Sequence, residues 1–532
     1  MNTKTYAEVR AALLERREIA LLDVREEDPH AGSHPLFAAN LSLSRLELEA
    51  YARLPRRDVP IVTLDAGEGL AERAAQRLTE LGYTDVAVFA GGVKGWQAAG
   101  GELFCDVNVP SKAFGELVDA TRHTPSLPAE EAQALLDAKA DVVVVDARRF
   151  DEYQTMNIPG SISVPGAELV LRVPELAPDP KTRVIVNCAG RTRSIIGAQS
   201  LVNAGIPNPV VALRNGTIGW TLAGQTLEHG ANRRFAPTSE NTRQKAATRA
   251  YQVAQTAGVR WIDAETASDT IADWEKQEGR TTYFIDVRDP EEYAAGHHPG
   301  FRSIPGGQLV QETEMTLAVR GARVVLADND GVRANMTASW LAQMAWEVYV
   351  LTPPCAATCA AAWTETGAWQ APLPPIPYVP KVAPTTLREW LRSAEPPVVI
   401  DLTAHANYRR AHIPGAWYAL RAQLAEARAR LPKATRYVLT CLSGLLGYYA
   451  HAEFAAWVEG EVYALDGGTN AWKAAGLPLE QTERLASPPL DRYRRPYEGT
   501  NNSASAMQAY LDWEFGLVEQ LERDGTHHFR VI

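Results

Sequence analysis

The sequence predicts an α/β fold: four tandem domains, each a parallel β-sheet flanked by helices, followed by a C-terminal helical tail. Three observations predict it. An apolar strand ending in Asp occurs four times, as Leu21-Leu22-Asp23, Val144-Val145-Asp146, Phe284-Ile285-Asp286 and Val399-Ile400-Asp401. A second apolar strand follows each and runs into a loop at Asp65, Cys188, Asp328 or Cys441, 42 residues after the Asp in the first three copies and 40 in the fourth. Helical stretches such as Arg193 to Ala204 alternate with these strands, the pattern of parallel strands joined by covering helices.

The repeats place domains over residues 1–106, 120–236, 254–371 and 383–485, with the tail over 486–532. A chain of 532 residues needs several cores, so this division fits its length. Linkers are expected near Val107 to Ala120, near Ala236 to Ala246, and at Ala371 to Pro380, where repeated proline excludes the chain from sheets. A tryptophan follows each loop, at Trp96, Trp220, Trp363 and Trp472. In the tail, Tyr510, Trp513, Leu517, Val518 and Leu521 share a face at helical spacing and predict a helix docked on a domain.

Composition narrows the function classes. The 46% hydrophobic and 22% charged content is that of an ordinary globular protein. No apolar run approaches the roughly 20 residues of a membrane span, and the N-terminal segment is charged where a signal core would be apolar. Five cysteines are too few for a disulfide framework, which points to a reducing, cytoplasmic setting. A formal charge of -11 argues against nucleic-acid binding, so an anionic substrate would need a local basic pocket.

One loop carries chemistry. Cys188-Ala189-Gly190-Arg191-Thr192-Arg193-Ser194 sits where a strand end turns into a helix, the place where open α/β sheets bind ligands. Backbone N–H groups in such a turn, together with the positive end of the following helix, stabilise an anion or a thiolate. Beside Arg191 and Arg193, Cys188 is expected to have a depressed pKa and to act as a nucleophile.

These motifs resemble the rhodanese family. The resemblance spans about residues 1–485 in four copies and rests on the Asp-x-Arg strand ends, the Ile158-Pro159-Gly160 and Ile413-Pro414-Gly415 turns, the six-residue loop from Cys188 to Arg193, and the Gly-x-x-x-Trp tails. The four-unit layout with the Tyr493-Arg494-Arg495-Pro496-Tyr497 segment is similar to bacterial members described as thiosulfate sulfurtransferases. The family implies that Cys188 takes the outer sulfur of thiosulfate, releases sulfite, and passes the persulfide sulfur to cyanide or a thiol. It implies that Thr192 and the loop N–H groups hold the persulfide, that Arg191 and Arg193 hold the sulfonate with help from Arg214, and that Asp146 and Arg148 brace the loop. Related cysteine phosphatases have a loop one residue longer, so sulfur transfer is the expected reaction. No cofactor or metal is called for, and the acceptors left open include thioredoxin-like proteins. The alternative is a scaffold or persulfide carrier that docks sulfur-handling partners without fast turnover.

The other copies depart from the pattern. Asp65 and Asp328 replace the thiol in the first and third units, which are expected to be inactive. Cys441, in Cys441-Leu442-Ser443-Gly444-Leu445-Leu446, keeps the thiol without a basic neighbour and is a secondary candidate. Cys355 and Cys359 lack a second ligand pair at zinc spacing and are read as core residues.

Overall fold

The computed structural model describes residues 2–263, 267, 270, 274, 279–352 and 363–532; Cys355 and Cys359 fall outside them. The described residues form four five-stranded sheets, each with its strands in the order 1-5-4-2-3 and each paired in parallel throughout. The strands are short apolar runs buried on both faces, as in Arg183–Asn187, where Val184, Ile185 and Val186 are fully enclosed. Among the described residues, no helix is long and apolar enough to cross a membrane.

The strand order explains the constant spacing between the repeated Asp and the loop. Strands 2 and 4 are neighbours, and their register sets Asp23 beside Leu64, Asp146 beside Asn187, Asp286 beside Ala327 and Asp401 beside Thr440. Each partner is the residue immediately before the loop. The buried Asp therefore stands at the root of the loop in every unit.

Three of these carboxylates are matched by an arginine two residues on. Arg148 binds Asp146 through Nε at 2.9 Å and Nη2 at 2.7 Å, and donates onward to the Met156 carbonyl at 2.6 Å. Arg25 with Asp23 and Arg288 with Asp286 repeat the fork, reaching the carbonyls of Ser33 and Gly296. In the fourth unit Thr403 stands where the arginine would be. Asp401 then accepts only the Thr403 backbone N–H, its Oδ2 has no partner, and burial pushes its carboxyl up to about 7.

The tryptophans expected after each loop divide into two groups. Trp96, Trp220 and Trp472 are buried, and each indole N–H donates to a carbonyl six residues later, at Glu102, Thr226 and Pro478. Trp363 is only half-buried and lies over the Arg288 guanidinium at 3.9 Å. It covers the strand-end ion pair and is not a core residue like the other three.

Two of the expected linkers are helices built into the assembly. Val109–Arg122 and Glu240–Thr256 bury Phe114, Val118 and Ala254 in the core that the first and third units share. Apolar residues at helical spacing within these segments leave no loose boundary there. The second and third units meet through Arg333 with Glu168 at 2.9 Å and Trp340 Nε1 with Ser200 Oγ at 2.8 Å. The first and fourth meet where Arg421 pairs with buried Glu47. Ala371 to Pro380 does run without helix or strand, as its prolines dictate.

The tail forms two helices, Ala504–Phe515 and Leu517–Asp524, broken at Gly516. The expected apolar stripe is present in part: Tyr510, Leu517 and Leu521 are buried, whereas Trp513 and Val518 are half-exposed.

Asp401 yields a test of this account. Its ordinary pKa of 3.8 rises to about 7 in the folded chain, so the native state holds the proton more tightly than the unfolded state. The stability this contributes is complete below about pH 4 and is lost as the pH rises through 7. Asp401→Asn is expected to flatten that part of the stability profile, as read by urea unfolding of the fourth unit across the interval.

Candidate active site

Strand Arg183–Asn187 delivers Cys188 to the carboxyl edge of the second sheet, and helix Thr192–Asn203 begins four residues later. The turn between them is packed against Asn215-Gly216. Thr217 N donates to the Cys188 carbonyl at 2.9 Å and Ile218 N to that of Ala189 at 3.0 Å. Gly216 has φ +54, and a Cβ there would stand 2.4 Å from the Cys188 carbonyl oxygen, so only glycine lets the two turns meet.

The loop residues do not all face the thiol. Arg193 does: it is partly buried, its charge acts on Cys188, and Glu152 holds it with two bonds of 2.7 and 2.8 Å. Burial opposes ionisation of Glu152, but Arg193 outweighs it and draws the carboxyl down to about 2. The backbone N–H and hydroxyl of Ser194 also favour the thiolate.

Arg191 was expected beside the sulfonate, and the structure turns it away. Its guanidinium binds Glu116 at 2.7 and 2.8 Å and Asp119 at 2.9 Å, both on the linker helix, and Phe515 stacks on it at 4.3 Å. Two carboxylates across an interface offer a better-matched partner than open solvent would. Arg214 is exposed and touches Ser126 Oγ at 3.2 Å, outside the loop pocket. Asp146 and Arg148 sit behind the loop as a closed pair, and Asn187 Nδ2 adds a further bond to Asp146 at 2.8 Å.

The expected depressed pKa of Cys188 is also corrected. The thiol is 2% exposed, and burial pushes it up. Arg193 and Ser194 work against that rise, and Glu514 adds to it. The C-terminal helix covers the loop: a Cβ on Gly190 would lie 3.1 Å from Tyr510 Cε1 and 3.3 Å from Glu514 Oε2.

Several residues of the site were not singled out from sequence. Lys112, Gln311, Tyr497, Tyr510 and Glu514 join the loop around a cavity of about 10 Å³. Lys112 is buried against Asp106 at 2.6 Å, with Tyr497, Tyr510 and Trp513 packed around its ammonium. Burial, with the Glu116 carboxylate adding to it, pushes Glu514 up to about 8. The available signal was a polar residue four positions along an apolar helical face, as in Lys112–Glu116 and Tyr510–Glu514.

Arg193, Gln311 and Tyr497 also border a wider cleft of about 620 Å³. Arg149, Arg409, Arg492, Arg494 and Arg495 line it, interspersed with Asp151, Glu312 and Glu498. This is the local basic surface that an acidic chain needs to attract an anion. A larger cavity, about 950 Å³, opens around Val398 and Thr435 at the opposite, amino ends of the fourth sheet's strands and is remote from the loops.

The replaced residues in the first and third units fill their own loops. Asp65 accepts the N–H groups of Gly67, Leu70 and Ala71, at 2.8 to 3.1 Å. Asp328 accepts those of Gly331 and Ala334, and burial beside Asp330 raises its pKa. In the fourth unit Cys441 is buried, with Ser443 Oγ 3.7 Å from its sulfur and no arginine in the loop.

Comparison with known proteins agrees with this geometry. The Rhodanese-like domain model matches residues 5–99, 128–223, 266–353 and 383–475. A Pseudomonas aeruginosa crystal structure described as a thiosulfate sulfurtransferase is 66% identical, covers 100% of both chains and superposes with a TM-score of 0.97. The thiosulfate sulfurtransferase GlpE of Coxiella burnetii is 28% identical over 86 residues, which is 16% of this chain and 78% of that one. The HTH-type transcriptional regulator Rv0324 of Mycobacterium tuberculosis is 30% identical over 136 residues, 25% of this chain, and the match spans only 56% of that protein's length.

Gly216→Ala tests the packing of the loop. Strain at positive φ and overlap with the Cys188 carbonyl should together cost about 2 kcal/mol or more. The expected result is a lower melting temperature and faster alkylation of Cys188 by iodoacetamide.

Proposed function

The chain belongs to the rhodanese family, and on that premise we propose that it is a sulfurtransferase that carries sulfane sulfur from thiosulfate on Cys188. One observation carries the reading. Of the four loops, the second alone joins a thiol to an arginine whose charge acts on it, while Asp65 and Asp328 occupy the N–H groups of their own loops. The loops in the first and third units therefore have no room for a second anion, and we assign those units a structural role.

In the proposed reaction Cys188 loses its proton and attacks the outer sulfur of thiosulfate. The bond to the sulfonate breaks, its electron pair leaves with sulfite, and a cysteine persulfide remains. A cyanide or thiolate acceptor then attacks the outer sulfur and returns the Cys188 thiolate. Arg193, fixed by Glu152, supplies the positive charge that favours the thiolate and the departing anion. The Ser194 donors and the start of helix Thr192–Asn203 act in the same direction. Arg191 ties the loop to the linker helix in place of holding substrate. The arginine-lined cleft is the proposed approach for the anionic donor.

Cys105, Cys188 and Cys441 are free thiols, which suits a reducing compartment, and we take that compartment to be the cytoplasm. Thioredoxin-like proteins and small thiols are the proposed acceptors.

Intact-protein mass spectrometry after incubation with thiosulfate is expected to show a gain of one sulfur atom. The gain should vanish in Cys188→Ser and persist in Cys441→Ser. Arg193→Ala should lower kcat/KM for thiosulfate by about 100-fold or more, the scale of losing one oriented charge stabiliser. Retention of the added sulfur by Cys188→Ser would sink the assignment.

A further inference from the structure

Glu514 is not part of any of the four repeated units; it is carried by the tail helix Ala504–Phe515. That helix sets its carboxyl against Gly190, where Oε2 would lie 3.3 Å from an added Cβ. Oε1 accepts the Tyr510 hydroxyl at 2.8 Å, while Oε2 is buried and has no hydrogen-bond partner. The reaction derived above makes no use of it. A buried, unpartnered oxygen at the edge of a reactive site calls for a ligand.

The adjoining cavity indicates what that ligand is. At about 10 Å³ it has the space of roughly one water, enough for one added atom on the Cys188 sulfur. Both Cys188 and Glu514 line it. We propose that Glu514 is a catalytic residue whose neutral carboxyl donates a hydrogen bond from Oε2 to the outer sulfur of the Cys188 persulfide, holding that intermediate between the two half-reactions. This rests on the reading of Cys188 as the sulfur carrier. No proton is transferred: the persulfide keeps its negative charge and Glu514 its proton, and when the acceptor bonds to the outer sulfur the S–S bond breaks, its electron pair returns to the Cys188 thiolate, and the Glu514 O–H is freed.

The surroundings favour the neutral form. Glu514 is raised to about 8, by burial first and then by Glu116. Lys112 and Glu116 face it from the linker helix, Cys188 and Arg191 from the loop, Tyr510 from its own helix, and Tyr497 from the strap before it. Lys112 and Arg191 pull toward ionisation, but their charges are already taken by Asp106 and by Glu116 with Asp119. A neutral carboxyl donates to a sulfur anion, whereas a carboxylate repels it, so the persulfide should lose its hold as the pH rises through about 8.

The test charges the full-length protein with thiosulfate, removes the excess, and follows loss of the added sulfur by intact-protein mass spectrometry below and above that pH. Wild type should hold the sulfur at the lower pH and lose it at least about tenfold faster at the higher one, the effect of about one lost hydrogen bond. Glu514→Gln, which keeps a donor and cannot ionise, should hold it at both. Glu514→Leu should lose it quickly at both. The proposal is overturned if Glu514→Gln shows the same alkaline acceleration as wild type, or if Glu514→Leu retains sulfur as long as wild type. Failure of wild type to take up sulfur at all would instead overturn the carrier reading, and this proposal with it.

Discussion

Each sheet buries a carboxylate at the end of its second strand, directly beside the residue that precedes the loop, and the rest of the site depends on how that charge is held. A buried carboxylate without a partner is costly. In three units the Asp-x-Arg fork meets this requirement and, by reaching a carbonyl eight residues past the arginine, also fixes the turn after the strand. The loop root is thereby rigid before any functional side chain is placed. The fourth unit lacks the arginine, and its Asp401 is left with an unpaired oxygen and a raised pKa.

On this common base the four loops differ in what occupies their N–H groups. A carboxylate at the first loop position folds back and binds them itself, as Asp65 and Asp328 do. A thiol is too weak an acceptor to compete in that way, so in the second unit those groups stay available to a charged sulfur. One substitution at one position thus separates a loop whose first residue takes up its own N–H groups from one whose first residue is a thiol. Arginine then distinguishes the two thiol loops, since Arg193 has no counterpart near Cys441.

The tail touches all four units, adding to the contacts they make directly with one another. It bonds to the fourth unit where Asp491 meets Tyr418, to the first where Arg495 meets Glu27 and to the third where Arg530 meets the Gln343 carbonyl, and it packs on the second over Gly190 and through Phe515 on Arg191. By closing over Cys188 it excludes water, which raises the thiol pKa and at the same time strengthens every electrostatic contact inside the site. The linker helix contributes from the other side through Lys112 and Glu116. The candidate site is therefore composite, with Cys188 from one domain and its cover from segments outside the repeats.

The four-fold α/β repeat, the strand-end Asp and the Cys188 loop were legible in the sequence because each is a local pattern. Alternating apolar runs, a turn glycine and a fixed spacing all act within about 45 residues, and the parallel register converts that spacing directly into adjacency. The direction of Arg191, the placement of Arg214 outside the pocket, the raised thiol and the position of Glu514 over Gly190 were not legible. Each depends on a segment distant in the chain: Glu116 lies 75 residues before Arg191, and Glu514 belongs to a helix more than 300 residues beyond Cys188. Sequence determined which residue types stand at the loop. Only the tertiary structure decided their partners, because charge pairing and desolvation depend on distance in space, and the tail and linker helices set that distance.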